Sequence, residues 1–133
     1  MKSPYKGLDR IIHAFQYSWD GIVATFKSES AFRQDLLLCL IAFMVQFFID
    51  VPFISHVLMV FSLIFIIIAE LINTAIETII DRISPDKNQL SKKAKDIGSA
   101  IVMITIISVI ILWVILIYHG YGNHVNSVIS SLF

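Results

Sequence analysis

Apolar positions along this chain change rhythm several times, and each change marks an element. From Leu8 to Phe26, the residues Leu8, Ile11, Ile12, Phe15, Trp19, Ile22, Val23 and Phe26 recur at helical spacing, while Arg10, Gln16, Tyr17, Asp20 and Lys27 occupy other faces. That alternation predicts an amphipathic helix over 8–27 lying in a membrane interface. Ser28, Glu29 and Ser30 break the pattern, and a carboxylate at that break is explained most simply as a complement to the dipole of the next helix. Residues 31–49 are apolar apart from Arg33, Gln34 and Asp35 at the entrance and Gln46 inside, which predicts a first membrane helix. Asp50, Val51 and Pro52 predict a turn, because proline offers no N–H to a helix and restricts the residue before it. A second membrane helix is expected over 53–80 and a third over 91–118. Ser84, Pro85, Asp86, Lys87 and Asn88 form the turn between them, and Ser91 is the expected N-cap of the run SKKAKD. Residues 119–133 form an extra tail, first polar and then weakly apolar, in which no function is legible.

The second of these helices changes character part-way. Phe53 to Ala69 is almost wholly apolar, and then the chain reads ELINTAIETIID from Glu70 to Asp81. At about 100° per residue, Glu70, Asn73, Thr74, Glu77 and Asp81 fall within roughly a third of the helix circumference. They make one polar stripe, with Leu71, Ile72, Ile76, Ile79 and Ile80 covering the other faces. Carboxylates within a membrane are costly and point to function. The plainer alternative, that Glu70 packs neutral in a bundle and that Glu77 and Asp81 reach the wet headgroups, suffices for Asp81. A helix over 53–80 is longer than the hydrocarbon requires, so its polar end is expected at the cytoplasmic rim.

Composition places the chain in a bilayer: its 133 residues are 57% hydrophobic, too apolar for an ordinary soluble domain of that size. The charges are clustered. Lys2, Lys6, Arg10, Lys27 and Arg33 precede the first apolar run, and Arg82, Lys87, Lys92, Lys93 and Lys95 follow the second. The positive-inside rule then puts the N-terminus and residues 82–96 in the cytoplasm, with the 50–52 turn and the C-terminal tail outside, an arrangement that three crossings satisfy. Lone Cys39 excludes an internal disulfide, and the first twenty-six residues present no continuous apolar stretch of the kind a cleavable signal needs. Gly98, Ser99 and Ala100 are small residues that allow another helix to approach, and Trp113 and Tyr118 sit near the outer interface.

The sequence contains no GxxxxGK[ST], GxGxxG or DFG, and its four histidines, His13, His56, His119 and His124, are scattered, which excludes a soluble nucleotide-binding fold and a Cys/His zinc cluster. No nucleic-acid partner is expected. What remains is a set of carboxylates, Glu29, Glu70 and Glu77, with Arg10 and Lys95 at one membrane surface. Such a set suits a hard divalent cation bound through oxygen, and phosphate held by the cations. The plainer alternatives are a snorkelling Arg10, an interfacial Tyr17, and lysines anchored to anionic lipid, which suffice for Lys92 and Lys93. These residues alone identify no reaction.

The segments ELINTAIETIIDRI and SKKAKDIGSA, with RIIHAFQYSWDGI and ESAFRQD upstream, resemble the small integral-membrane diacylglycerol kinases of bacteria, from about Gly7 to Tyr118. The resemblance implies an all-α membrane protein of the bacterial inner membrane, a homotrimer with three transmembrane helices plus the surface helix in each subunit. It also implies active sites at subunit interfaces and phosphorylation of diacylglycerol to phosphatidic acid, with ATP as co-substrate and Mg2+ as cofactor. By matching position, Glu70 is the general base towards the lipid hydroxyl, Glu29 and Glu77 are the metal-holding carboxylates, and Asn73 belongs to the same motif. Arg10, Tyr17, Lys95 and Asp96 match the nucleotide site, as do Asp86, Lys87 and Asn88, although the family often carries a bulkier, His-containing loop there. Ser99, the segment Tyr17, Ser18, Trp19 and the segment Ala31, Phe32, Arg33, Gln34, Asp35 match the lipid cleft. Further departures are Asp20, where a basic residue is common, and the tail past Tyr118. Physics agrees with the division of labour: Glu70 lies about 10 Å deeper along the helix axis than Glu77, so the deeper acid meets the lipid and the shallower one the hydrated nucleotide. Two alternatives stand beside this reading: an undecaprenol kinase of the same family, and a non-enzymatic membrane scaffold or transporter subunit whose Glu70 binds a cation or proton.

Overall fold

The computed structural model describes residues 6–83 and 88–130, with side chains as far as 121. Its order is α1 Leu8–Ser28, α2 Ser30–Val45, a 3-10 turn Gln46–Phe48, α3 Phe53–Ile83 and α4 Gln89–Ser130, with no strand among the described residues. Three stretches are long and apolar enough to cross a membrane: Ser30–Phe48, Phe53–Ile83 and Gln89–Tyr121. The first expected span therefore closes in a 3-10 turn, not as regular α-helix. α3 runs three residues past the expected 80. α4 starts before the expected 91 and continues as helix through 119–130, into the expected tail. At 31 residues, or about 46 Å, α3 exceeds a hydrocarbon core of about 30 Å, which leaves its acidic end a place beyond the oil.

Local chemistry accounts for the ends. Glu29 alone separates α1 from α2, in extended conformation, and its N–H donates to Thr25 O at 2.8 Å. Arg33 reaches back across the break and donates from Nη1 to Phe26 O (2.9 Å) and Lys27 O (3.2 Å), satisfying carbonyls in the last turn of α1. Pro52 starts α3, its carbonyl accepting from the N–H of Ser55 at 2.8 Å. At the start of α4 the capping side chain is Asn88, whose Oδ1 accepts from Leu90 N–H at 2.8 Å, one turn ahead of the expected Ser91. Gly120 lets α4 close over the α2–α3 turn, since a Cβ there would come within 2.6 Å of Val51 Cγ1.

α3 is the central element, packed along most of α4 and against α2. The core joins Cys39 of α2, Leu63 and Ile66 of α3 and Val109 of α4, with Trp113 and Ala42 packed against it. One polar relay crosses it: Trp113 Nε1 donates to Ser62 Oγ at 2.9 Å, and Ser62 Oγ donates to Met59 O at 2.6 Å. Ser62→Ala leaves the indole N–H without that acceptor in an apolar setting. The expected result is a loss of about 1–3 kcal/mol in unfolding free energy, read by denaturation in mixed micelles, with Ser62→Thr largely retaining stability. α1 stands apart from this core: Leu8, Ile11, Phe15, Trp19, Ile22 and Phe26 are all exposed.

Candidate active site

The polar stripe of α3 opens into a cavity of about 510 Å³ shared by three helices. α3 supplies Glu70, Asn73 and Glu77; α2 supplies Ala31 and Asp35, one turn apart on a single face; α4 supplies Ser99, Val102, Met103, Ile106 and Ile107. The floor is acidic and the α4 wall mostly apolar. Glu70 is buried, 4% exposed, and shares the cavity with Asp35 and Glu77. Three carboxylates lining one cavity suit a cation bound through oxygen.

Asn73 links the deep and shallow ends. Its Nδ2 donates to Glu77 Oε1 across one turn, a long bond at 3.4 Å, while its Oδ1 is buried without a hydrogen-bond partner. Gly98 of α4 makes this amide position possible, because a Cβ at Gly98 would run into Asn73 Oδ1. The small run GSA is therefore spent on admitting a polar side chain.

Above the cavity, Lys95 Nζ pairs with Asp81 Oδ1 at 2.5 Å, and Lys92 Nζ lies 3.6 Å from Asp96 Oδ2. The Lys92–Asp96 pair is largely exposed, whereas Lys95 is half-buried beside an exposed Asp81. The two α4 residues expected at a nucleotide thus each have an ionic partner already, and exposed pairs of this kind exchange partners at little cost.

No three His, Cys, Asp or Glu among the described residues are grouped to hold a metal by themselves. The donor set nevertheless fits magnesium, which takes one or two protein carboxylates together with substrate phosphates and seldom a protein cage. Asn73 takes no part in that set directly: its Nδ2 is the atom turned to Glu77, and its buried Oδ1 packs against Gly98.

A scan against protein-family models matches residues 16–117 to the prokaryotic diacylglycerol kinases. The chain belongs to that family. Similar proteins include a diacylglycerol kinase of Escherichia coli (strain K12), 42% identical over 116 residues that make up 87% of this chain and 95% of that protein. Another, from Pseudomonas aeruginosa, is 40% identical over 114 residues, 84% of this chain and 93% of that protein. A third, from Haemophilus influenzae, is 39% identical over 107 residues, 80% and 91% of the two chains.

Within this family member the structure brings together only some of the residues singled out by sequence. Glu70, Asn73, Glu77, Ser99, Ala31 and Asp35 line one cavity. Arg10, Tyr17, Ser18 and Trp19 do not line it; they are exposed on α1, where Tyr17 and Trp19 border a separate open depression with Phe15, Gln16 and Asp20. Phe32, expected in the lipid cleft, is 2% exposed and serves as packing, because it points away from the face that carries Ala31 and Asp35. Arg33 is engaged with the end of α1, and Gln34 is exposed. Asn88 caps α4, whereas Asp86 and Lys87 lie outside the described residues. Sequence reasoning missed the Lys95–Asp81 pair, the Gly98–Asn73 contact and the apolar wall of Val102, Met103 and Ile106. Only the last had a usable signal, the helical spacing that sets these residues on the Ser99 side of α4.

Proposed function

We propose that this chain is a diacylglycerol kinase of the bacterial inner membrane, transferring the γ-phosphoryl group of ATP to diacylglycerol at the cytoplasmic face and releasing phosphatidic acid and ADP. The carrying observation is the single cavity in which buried Glu70, Asn73 and Glu77 face the apolar α4 wall. The names of the relatives support diacylglycerol over undecaprenol as acceptor. Glu70 accepts the proton of the lipid hydroxyl as its oxygen attacks the γ-phosphorus, and the bond to the β-phosphate oxygen breaks in line. Glu77, steadied by Asn73, and Glu29 at the α1–α2 break are the residues that would hold magnesium. The ion, when bound, neutralises charge on the β- and γ-phosphates. Lys95 releases Asp81 to meet transferred negative charge.

The same reading makes the protein a homotrimer with α1 lying in the cytoplasmic interface, the N-terminus inside and the C-terminus outside. The position of Arg10, Tyr17, Ser18 and Trp19 outside their own chain's cavity supports a site completed by a neighbouring subunit. The exposed apolar residues along α1 support its place against lipid.

The deciding experiment supplies purified protein with labelled ATP and either lipid, followed by thin-layer separation. Label on diacylglycerol is expected, and label on undecaprenol alone would reject the proposal. A further expected result concerns the metal: Glu77→Leu raises the magnesium concentration needed for half-maximal rate by about tenfold or more before it changes the apparent KM for lipid. Equal effects on both would remove Glu77 from the metal role.

A further inference from the structure

The break between α1 and α2 is held by a side chain of the second helix. The last carbonyls of an α-helix have no partner within it, and in α1 these belong to Thr25, Phe26, Lys27 and Ser28. Helices often close on a left-handed glycine, but Glu29 is extended, with φ −102° and ψ 119°. Its N–H satisfies Thr25 O, and Arg33 Nη1 satisfies Phe26 O and Lys27 O. Arg33 stands in the first turn of α2, where the helix dipole disfavours a cation, and its reach across the break carries that charge to the C-terminus of α1, where the dipole favours it. The core of α2, α3 and α4 does not include α1, none of whose residues is buried.

We propose that Arg33 is a positioning residue of the active site: its guanidinium clasps the last turn of α1, and so fixes where Glu29 stands beside the cavity of Glu70 and how α1, with Arg10 and Tyr17, is aimed. The proposal rests on the kinase reading above for the roles of Glu29, Arg10 and Tyr17. It takes Arg33 out of the lipid cleft, its match by position, and makes it the brace of an elbow.

Three features carry it. Glu29 lies two residues before Ala31, which lines the cavity, so the turn of the chain at 29 sets where its carboxylate arrives. That carboxylate makes no capping hydrogen bond to α2, which leaves it to a ligand. The clasp joins two helices across the single residue between them, and α1 is a long lever: over its 21 residues, about 31 Å, a tilt of about 10° moves the far end by about 5 Å. Hydrogen bonds from a charged donor are stronger than neutral ones, but these two are exposed and water competes for them. Losing the clasp therefore loosens the elbow and leaves the bundle folded.

The test compares Arg33→Met, Arg33→Gln and Arg33→Lys with the wild-type full chain in mixed micelles, each checked for assembly by elution volume. The first readout needs no catalysis: trypsin cleavage after Lys27, within the clasped turn, is followed by fragment mass without nucleotide. A protease acts on backbone that has opened locally, so a held turn resists it. Arg33→Met and Arg33→Gln are expected to speed this cleavage by about fivefold or more, and Arg33→Lys, which keeps a charged donor, by less than about twofold. The second readout is steady-state phosphorylation of diacylglycerol. In Arg33→Met and Arg33→Gln the magnesium concentration for half-maximal rate is expected to rise by about tenfold, and the apparent KM for diacylglycerol to stay within about twofold, with Arg33→Lys restoring most of the magnesium response. Unchanged cleavage would overturn the clasp. Faster cleavage with an unchanged magnesium response would overturn the positioning role, and a rise in the lipid KM alone would return Arg33 to the lipid cleft. Failure of all three variants to assemble would also overturn the proposal, by making Arg33 a residue of the fold. A wild-type protein that leaves diacylglycerol unphosphorylated would instead strike the kinase reading, while the cleavage comparison would still decide the clasp.

Discussion

Glu70→Gln lowers the rate of lipid phosphorylation by about 10²–10⁴-fold, the range lost when a positioned proton acceptor is removed. The exchange preserves the shape of the side chain and removes its capacity to take a proton, so the helices are expected to pack as before. Glu70 is almost wholly buried and shares its cavity with Asp35 and Glu77, so the glutamine also relieves crowding of negative charge. Folding stability is therefore expected to stay equal or rise while catalysis falls. Radiolabel transfer to diacylglycerol gives the first quantity, and denaturation in micelles together with elution volume gives the second. Phosphorylation that survives the change, with ATP turnover intact, would transfer the role of base elsewhere and favour a transport function for this acid.

Gly98→Ala is expected to have the second largest effect, through a residue that touches no reactant. The added Cβ falls on Asn73 Oδ1, with Asn73 Cγ at 3.5 Å and Ile76 Cδ1 at 3.7 Å, so either α3 and α4 move apart or the amide rotates. Overpacking of this kind costs about 1–3 kcal/mol. Rotation breaks the bond from Asn73 Nδ2 to Glu77 Oε1, and displacement of a positioned group by about 1 Å costs on the order of 10²-fold in rate. The double variant Gly98→Ala/Asn73→Ser separates the two consequences. The shorter side chain is expected to restore stability without restoring activity, a non-additive cycle between sites in contact. Additive losses would show that Gly98 serves helix packing alone.

Much of the architecture was legible because one-dimensional patterns map directly onto helices. The 3.6-residue spacing of Leu8, Ile11, Phe15 and Trp19, the unbroken apolar run before Glu70 and the proline at 52 each carry their consequence locally. The stripe of Glu70, Asn73 and Glu77 was readable for the same reason: residues three and four apart share a helix face whatever surrounds them. Helix ends were less readable. Asn88, not Ser91, caps α4, since several nearby residues have capping side chains and only the path of the chain selects one. Nor does the sequence break at 119–130, where glycines and polar residues suggested a tail, prevent α4 from continuing. Helix propensity is a weak prior there.

The chain's order of residues alone determined an all-helical chain with three helices long and apolar enough to span a membrane and acids in one stripe on the second, because periodicity and hydrophobicity act within single segments. Which of those acids share a cavity depended on how separate segments pack. Asp35 comes to Glu70 from another helix, Lys95 finds Asp81 across the α3–α4 seam, and a missing methylene at Gly98 makes room for Asn73. Contacts of that kind are fixed by close packing between surfaces far apart in sequence, where a single atom too many excludes the arrangement.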